Sequence, residues 1–437
     1  MLLGLTFTNA GQVQVNFTYN LLAFIPFMDR QPRYKYKQTL SVVKNTEEGW
    51  GVMAKLFFAF LAVVLPALFN SAYATTVYFA GFAYAGDEAS FSTRFRYSEE
   101  YTSNLKRDNN EVDQVIRQAL NGRPLPFTLD FSSLGSLKGD ETLVVALIVN
   151  NETVSVEQFG KLYKVFSQVR AQALFFDYKT QQVVSSYPFS FAYLDLLDHK
   201  PTESEKEHDI SLVYNGTNGK PGIINRFVDV LEKAKLPSDG QLFLQVTDVK
   251  IDPIALKAIP AYLAATPGTA ETWIADMFDE SVSAESEVPI LPYSKGYAIG
   301  NKMALRIGDS SVFNLTLPKP DYAFQIEITG LKRVEYGKSE AGASYIYASY
   351  AHIKLFDPLG NVVALDSNFK NGEIKEVPIT QVTIDDFPAY VDSINGLFKK
   401  LGMVFANGPD QWLQYAASAK NINNQISATQ KVLEKCK

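Results

Sequence analysis

Apolar and polar residues alternate with a period of two over much of the chain after residue 75. This alternation runs through TTVYFAGFAY at 75–84 and through a long region from Thr153 to about residue 195, and it returns in SYIYASYAHIKLFD at 344–357. A period of two places successive side chains on opposite faces, which is typical of half-buried strands. The chain therefore predicts antiparallel meanders, joined by short turns.

Helical spacing separates these strand regions. Apolar residues recur every three or four positions in 110–121 and 223–235, and a further helix is predicted from Thr269 to about Ser283. Asp252 followed by Pro253 is a good N-cap and first-turn pair for another helix. Two more helices are expected after residue 385. Together these patterns predict an α+β fold.

Two segments of the chain resemble each other. ALFFDYKTQQVVSS at 173–186 and IKLFDPLGNVVALD at 353–366 share an apolar strand, Phe-Asp, a polar turn and Val-Val. An Asp at a strand end can accept a hydrogen bond from its own downstream backbone and so start the turn. We therefore predict two related halves, each a mainly antiparallel sheet with packed helices, plus a C-terminal helix. Coincidence between two ordinary hairpins, or one continuous sheet with inserted helices, is the alternative.

Domain boundaries follow from composition. The stretch LDLLDHKPTESEKEHD at 194–209 loses the apolar pattern and gathers charge around a proline, as a boundary does. The predicted division, in chain order, is an N-terminal extension, a signal peptide, a first module, a second module and a C-terminal amphipathic helix, at residues 1–52, 53–74, 75–199, 200–405 and 406–437.

Residues 53–74 have the three parts of a secretory signal. Lys55 is the positive end, 56–69 are fourteen residues without charge, and Ala72-Tyr73-Ala74 is a small-residue cleavage site that would leave Thr75 as the new N-terminus. A start at Met53 would make residues 1–52 a mis-assigned extension. The alternative is an uncleaved membrane anchor that is preceded by a basic cytoplasmic tail.

Charge and cysteine content restrict the class of protein further. The net charge is −6, and removing the six basic and three acidic residues of 1–74 from totals of 41 and 47 leaves about −9. An acidic chain repels phosphate backbones, so nucleic-acid binding is not expected. Cys436 is the only cysteine, so no internal disulfide can form. An exported chain without disulfides indicates a bacterial envelope, with a periplasmic or secreted location.

The sequence QVRAQALFFDYKTQQVVSSYPFSF at 168–191, with its opening strand, helix and meander, resembles the periplasmic part of the curli secretion channel and related envelope proteins. The resemblance covers 75–198 and, more weakly, 290–370. It implies small α/β modules in the bacterial envelope. The channel proteins carry a lipid-anchor cysteine, which this chain lacks.

Catalytic motifs are scarce. No zinc-binding HExxH, nucleophile elbow or phosphate-binding loop is found, and neither a cofactor nor a metal is expected. Three groups have both a functional and an ordinary interpretation. Asp385 with Asp386 is either a carboxylate dyad or a helix cap, and Tyr345, Tyr347 and Tyr350 either stack on sugars or belong to the core. The third group is either a cation clamp or a solvated linker, and its residues are His199 and His208 with Asp195, Asp198, Glu203, Glu205, Glu207 and Asp209.

The C-terminal segment has an apolar seam at helical spacing. A helix of about thirty residues is predicted after Gly408, and its seam is expected either to dock a partner or second copy, with Cys436 placed for an intermolecular disulfide, or to lie on its own domain. The partner-binding candidates are Trp412, Tyr415, Ile422, Ile426 and Leu433.

The predicted function is a non-catalytic binding or assembly factor, with protein partners or self-association and no membrane span after cleavage. The alternative is an exported hydrolase with its site between the halves.

Overall fold

The computed structural model describes residues 2–7, 13–18, 75–86, 91–132, 134, 143–217, 219–238, 240–264, 267–293, 295, 302–307, 312–360, 362–379 and 385–437. The chain divides into two compact units, Met1–Tyr73 and Ala74–Lys437. In the first unit, strands β1 (Leu2–Phe7) and β2 (Val13–Thr18) form an antiparallel hairpin. The residues of β2, VQVNFT, alternate apolar and polar side chains, as a strand requires.

The second unit contains two sheets and two layers of helices. Its strands are β3 (Thr76–Ala85), β4 (Thr128–Asp130), β5 (Leu143–Phe159), β6 (Leu162–Asp177), β7 (Gln182–Leu197), β8 (Leu244–Ile251), β9 (Lys302–Ile307), β10 (Val312–Thr316), β11 (Tyr322–Ser339), β12 (Gly342–Phe356) and β13 (Val363–Pro378). Its helices are α1 (Phe91–Arg94), α2 (Arg96–Arg107), α3 (Val112–Leu120), α4 (Glu203–Asn215), α5 (Ile223–Lys233), α6 (Pro253–Leu256), α7 (Ala261–Ala264), α8 (Thr269–Ser286), α9 (Phe387–Asn407), α10 (Leu413–Ala416) and α11 (Ile422–Lys435). The α+β class predicted from the sequence is confirmed.

The first half consists of β3 to α5 together with β9 and β10, and its sheet has the order β4-β3-β5-β6-β7-β10-β9; the other elements from β8 to α11 form the second half. One face of its meander packs against α1 to α5 in a core that includes Phe79, Leu147, Phe175 and Phe227. The opposite face forms a smaller core, which β10 helps to enclose. Strand β9 pairs with both β10 and β3, so this sheet closes on itself.

The second half, β8 to α11, has the sheet order β13-β12-β11-β8. One of its faces packs against α8, α9 and α11, in a core that includes Phe278, Phe324 and Phe398. The ring of Phe278 makes edge contacts with Phe324 and Phe398, at centroid distances of 4.8 and 5.3 Å. The large apolar side chains of α8 and α9 therefore hold this sheet.

The two halves repeat one topology. In each, an opening strand lies parallel to the first strand of a three-stranded antiparallel meander, β3 on β5 and β8 on β11. The irregularities also correspond, with β-bulges at 149/151 and 175/176 in the first meander and at 328/330 and 355/356 in the second. The predicted related halves are thus present, about 180 residues apart by these bulge positions.

The predicted turn chemistry is also found in both halves. Asp177 Oδ1 accepts a hydrogen bond from the Thr180 N–H at 2.6 Å, and Asp357 Oδ1 accepts from the N–H groups of Leu359 and Gly360 at 2.7 and 2.8 Å. Each carboxylate satisfies backbone donors that the tight turn leaves unpaired, which fixes the return of the chain.

Helices α4 and α5 belong to the first half, although the predicted division at residue 199 placed them in the second module. Ile210, Tyr214, Ile223 and Phe227 of these helices lie in the core of the first half. The charged stretch 194–209 is therefore the end of β7 followed by the start of α4, where Thr202 and Glu205 form a capping box. Charge gathered there because a strand end and a helix N-terminus are both solvated.

Helix α8 connects the two halves. Its Glu280 accepts a hydrogen bond from Ser190 Oγ of β7 at 2.6 Å and forms an ion pair with Arg170 of β6, whose side chain is buried. Its other side carries Phe278 into the second core. In the parts of the chain that the structure describes, no helix has both the length and the apolar character needed to cross a bilayer.

Candidate binding cleft between the two halves

A cleft of about 810 Å³ lies between the sheet of the first half and the helices of the second. One wall comes from the far ends of β5, β6 and β7, and the other from α6, α7, α8 and the start of α9. The side chains at its surface are both apolar and polar: Thr153, Val154, Ser155, Val156, Lys164, Phe166, Gln168, Leu194, Ile254, Lys257, Ala258, Ile259, Pro260, Leu263, Trp273, Asp385, Asp386, Phe387, Pro388, Tyr390, Val391 and Asp392.

The sheet wall follows from strand geometry. Ser155, Phe166 and Leu194 are direct cross-strand neighbours on β5, β6 and β7, so their side chains share one face. Near the middle of the sheet that face is covered by α8, but the meander continues past the helix and leaves its end open. Leu194 is consequently 56% exposed.

The helical wall begins at α6. Asp252 Oδ1 accepts a hydrogen bond from the Ile254 N–H at 2.7 Å, and Pro253 occupies the first turn, as the sequence predicted. This short helix presents Ile254, which is 67% exposed, to the cleft. Deeper in the wall, the rings of Trp273 and Phe387 pack at a centroid distance of 5.5 Å. Both walls therefore contribute apolar surface.

The carboxylates of the cleft are engaged in holding α9. Asp385 Oδ1 accepts a hydrogen bond from the Phe387 N–H at 3.0 Å, which agrees with the capping role that the sequence suggested. Asp386 accepts from Tyr347 Oη at 2.6 Å and from Arg333 at 3.2 Å. Because an arginine compensates Asp386, the two acids have different partners and are not arranged as a pair that shares a proton.

The three clustered tyrosines divide between two faces of β12. Tyr347 is buried on the helix side, where its ring meets Tyr390 at 5.3 Å and burial raises its pKa. Tyr345 lies on the same side under the Arg333 guanidinium, at 3.8 Å, whereas Tyr350 stacks with Lys332 on the opposite face. Alternation along a strand separates them, so they do not form one sugar-stacking platform.

His199 and its acidic neighbours form the start of α4. The His199 ring bridges Asp198 at 2.9 Å and Glu205 at 2.8 Å. Hydrogen bonds from Thr202 lower the pKa of Glu205 to about 2. Among the described residues, no three His, Cys, Asp or Glu side chains are grouped as a metal would require. Of the remaining candidates, Glu203 pairs with Arg96 and Lys206, while burial raises the pKa of Asp209 to about 7.

The C-terminal segment differs from the predicted single helix. It forms α10 and α11, separated by a link in which Ala417 bridges to Phe369 of β13. Trp412, Ile422, Ile426 and Leu433 are buried in the core of the second half, and only Tyr415, at 65% exposed, faces solvent. Four of the five candidates thus pack on their own sheet instead of being open to a partner.

Cys436 is also buried, and burial raises the pKa of its thiol to about 12. It is therefore not presented for an intermolecular disulfide. The predicted signal residues Ala72 and Ala74 lie outside the described residues, as do the rest of 53–74. Thr75 is exposed directly before β3.

The cleft residues Phe166, Leu194 and Ile254 were not identified from the sequence. The available signal was for Leu194 alone, in the run PFSFAYLDLL at 188–197, which is unusually apolar for a strand end. Only the assembled halves show that it borders a cleft.

Comparisons with known proteins give weak likenesses. No protein-family model matches the chain, and no curated protein matches it. A solved structure of a hypothetical protein from Chlamydia trachomatis has 8% identity and a TM-score of 0.21, with 37% of this chain and 96% of the other covered. A DUF330 family protein from Xanthomonas campestris has 13% identity and a TM-score of 0.19, covering 39% and 87%. A "putative neuraminyllactose-binding hemagglutinin homolog" from Helicobacter pylori has 11% identity and a TM-score of 0.21, covering 46% and 92%. At these TM-scores the likenesses carry no argument about fold or function.

Proposed function

We propose that this chain is an exported bacterial envelope protein that binds another molecule, without transforming it, in the cleft between its two halves. The observation that carries the proposal is the cleft itself, with Leu194 exposed on one wall and Ile254 on the other. Exposed apolar side chains that face each other across a concave site can both be buried by one ligand.

The polar groups of the cleft support binding over catalysis. Asp385 caps a helix, Asp386 is compensated by Arg333, and Asp392 pairs with Lys375 at 2.5 Å. Lys164 pairs with Glu157. A hydrolase needs a base or nucleophile directed at the substrate, whereas these groups are directed at other parts of the protein.

The proposal is tested with the apolar fluorophore anilinonaphthalene sulfonate and three aspartate variants. Ile254→Asp and Leu194→Asp place a charge in the cleft, and we expect fluorophore binding about tenfold weaker in each. Leu359→Asp is the matched control, because Leu359 is 89% exposed at the β12–β13 turn and does not line the cleft. Equal affinities in the unaltered protein and all three variants would contradict the proposal.

The hydrolase alternative uses the same cleft and has a separate outcome. Hydrolysis of a model ester or glycoside by the purified protein, lost in Asp386→Asn while the melting temperature is retained, would favour the enzyme. Absence of turnover together with cleft-specific fluorophore binding would favour the binding protein.

A further inference from the structure

The outer edge of β7 is open where it borders the cleft. Among the described residues, β7 pairs with β10 only at Gln182, and the last backbone bond along this edge runs from the Ile290 N–H to the Ser186 carbonyl at 3.0 Å. Backbone groups on one side of a strand recur every second residue. The outward-facing groups after Ser186 therefore belong to Pro188, Ser190, Ala192, Leu194 and Leu196, and the last three residues are exposed.

The equivalent edge of the other half is protected. Strand β13 corresponds to β7 in topology, and its outward positions are Lys370, Gly372, Ile374, Glu376 and Pro378. These even-numbered residues face outward because the backbone of Asn368, which is on the same side of the strand, bonds to Ser418 of the α10 to α11 link. Charged residues and proline on an edge strand hinder pairing with another chain. The outward positions of β7 from Ser190 onward are Ser190, Ala192, Leu194 and Leu196, and none of them is charged or a proline.

One side chain on the open edge, that of Leu194, lines the cleft. Leu194 is opposite Phe166 on β6 and lines the same cavity as Ile254. In an added strand, residues that hydrogen-bond to β7 would carry their side chains on this face as well, because directly opposed residues share a face. The side chain that an added strand carries next to Leu194 would therefore lie beside the apolar cleft.

The far end of β7 is acidic. Asp195 is followed by Asp198, and Glu205 and Asp209 lie at the start of α4 close to this end. Asp195 Oδ1 accepts a hydrogen bond from the Leu196 N–H at 2.8 Å, so a side-chain carboxylate occupies the place where a carbonyl of an added strand would bond. A basic residue at the end of an added strand would complement this charge.

We propose that the cleft ligand is an extended polypeptide segment that adds to β7 as a further strand, with apolar residues at alternate positions and a basic residue beside Asp195. Only a peptide backbone supplies donors and acceptors at the spacing of the open edge. A folded second copy of the chain does not fit a cleft of about 810 Å³, whereas the side chains of one strand do. This inference rests on the proposed function of the cleft.

The test uses short synthetic peptides of alternating valine and threonine with a lysine at each end. One peptide is N-methylated at the valines, whose N–H groups would face β7, and a second is N-methylated at the threonines, whose N–H groups would face away. Against the unaltered protein we expect the threonine-methylated peptide to bind like the unmethylated one, and the valine-methylated peptide to bind at least about tenfold more weakly.

A matched pair of protein variants gives the complementary test. Leu194→Pro removes one outward N–H of β7, and Ile374→Pro removes the corresponding N–H of β13, where the side chain is 58% exposed. Proline at an outward edge position leaves the inner ladder intact, so both variants should keep the melting temperature within a few degrees. Peptide binding should be lost in Leu194→Pro alone.

The outcomes separate this inference from the proposed function. Equal binding of both methylated peptides, or of the unmethylated peptide to both proline variants, overturns strand addition. Cleft-specific fluorophore binding without any peptide binding also overturns it and leaves the cleft function in place. If the fluorophore test fails but peptide binding still depends on the valine N–H groups, the strand-addition site is retained. In that case the apolar cleft is not the source of the peptide affinity.

Discussion

Asp209 shows how a single buried acid can make stability depend on pH. It is 2% exposed on α4, one carboxylate oxygen has no hydrogen-bond partner in the described part of the chain, and desolvation, with Asp195 and Glu205 nearby, raises its pKa to about 7. Because the unfolded value is about 4, the folded state holds this proton more tightly. The free energy of unfolding therefore falls as pH rises from about 4 to about 7, and the loss is complete above that range.

We expect Asp209→Asn to remove this dependence. The variant should be about 2 kcal/mol more stable than the unaltered protein at pH 8 and nearly equal to it at pH 4. Urea denaturation across this pH range measures the difference. Glu207→Gln removes one negative charge from the same helix and controls for net charge. Parallel stability curves for the unaltered protein and Asp209→Asn would contradict the assignment.

Individual residues also show which parts of the structure the sequence could predict. Asp252, Asp177 and Asp357 act locally, each on backbone groups within three residues, so their roles were evident from the sequence alone. Arg170 and Glu280 are 110 positions apart, and nothing near either one indicates the partner. Local chemistry was predictable because chain connectivity places the groups together, whereas distant pairing requires the fold.

At the level of elements, the C-terminal helices are the main difference between prediction and structure. The seam from Trp412 to Leu433 has helical spacing, and such spacing identifies an apolar face without identifying what covers it. The structure covers it with β13 and α9. Strand periodicity in the two meanders was more informative, because a period of two, combined with a turn, nearly fixes the neighbour as well.

We therefore expect the C-terminal segment to stabilise the fold. Ile426→Ala should lower the free energy of unfolding by about 3 kcal/mol, because Ile426 is fully buried and the substitution leaves a cavity. Tyr415→Ala should change it by less than about 0.5 kcal/mol, as an exposed site does. Removal of residues 408–437 should abolish cooperative thermal unfolding followed by circular dichroism. A truncated protein that melts like the full chain would restore the partner-docking interpretation.

At the scale of the whole molecule, the repeated topology creates a difference between equivalent surfaces. In the part of the chain that the structure describes, the first meander is covered on both faces, by α1 to α5 and by α8 with β10, whereas the second is covered on one. Among the described residues, the edge strand β7 of the first meander is open and has apolar residues at its outward positions near the cleft. The equivalent edge strand of the second meander, β13, carries charged residues. The repeated topology thus gives two similar sheets, and the cleft lies where the helices of one half approach the sheet of the other.

If the proposed export is right, the mature protein begins after the signal peptide predicted at residues 53–74. We expect N-terminal sequencing of protein from the cell envelope to give Thr75, and deletion of residues 1–52 to leave its amount and stability unchanged.

The pairing of β3 restricts where the chain can be cleaved without loss of the strand. β3 begins at Thr76 and pairs with β4 from that residue, and the Thr75 carbonyl accepts a hydrogen bond from the Thr128 N–H at 3.1 Å. Cleavage after Ala74 leaves the whole strand intact, while cleavage a few residues later would remove its pairing with β4 and the buried Val77. As a control, Ala72 and Ala74 replaced together by leucine should block cleavage without altering the folded unit. Recovery of an intact Met1, or of a mature chain that begins inside β3, would contradict the prediction.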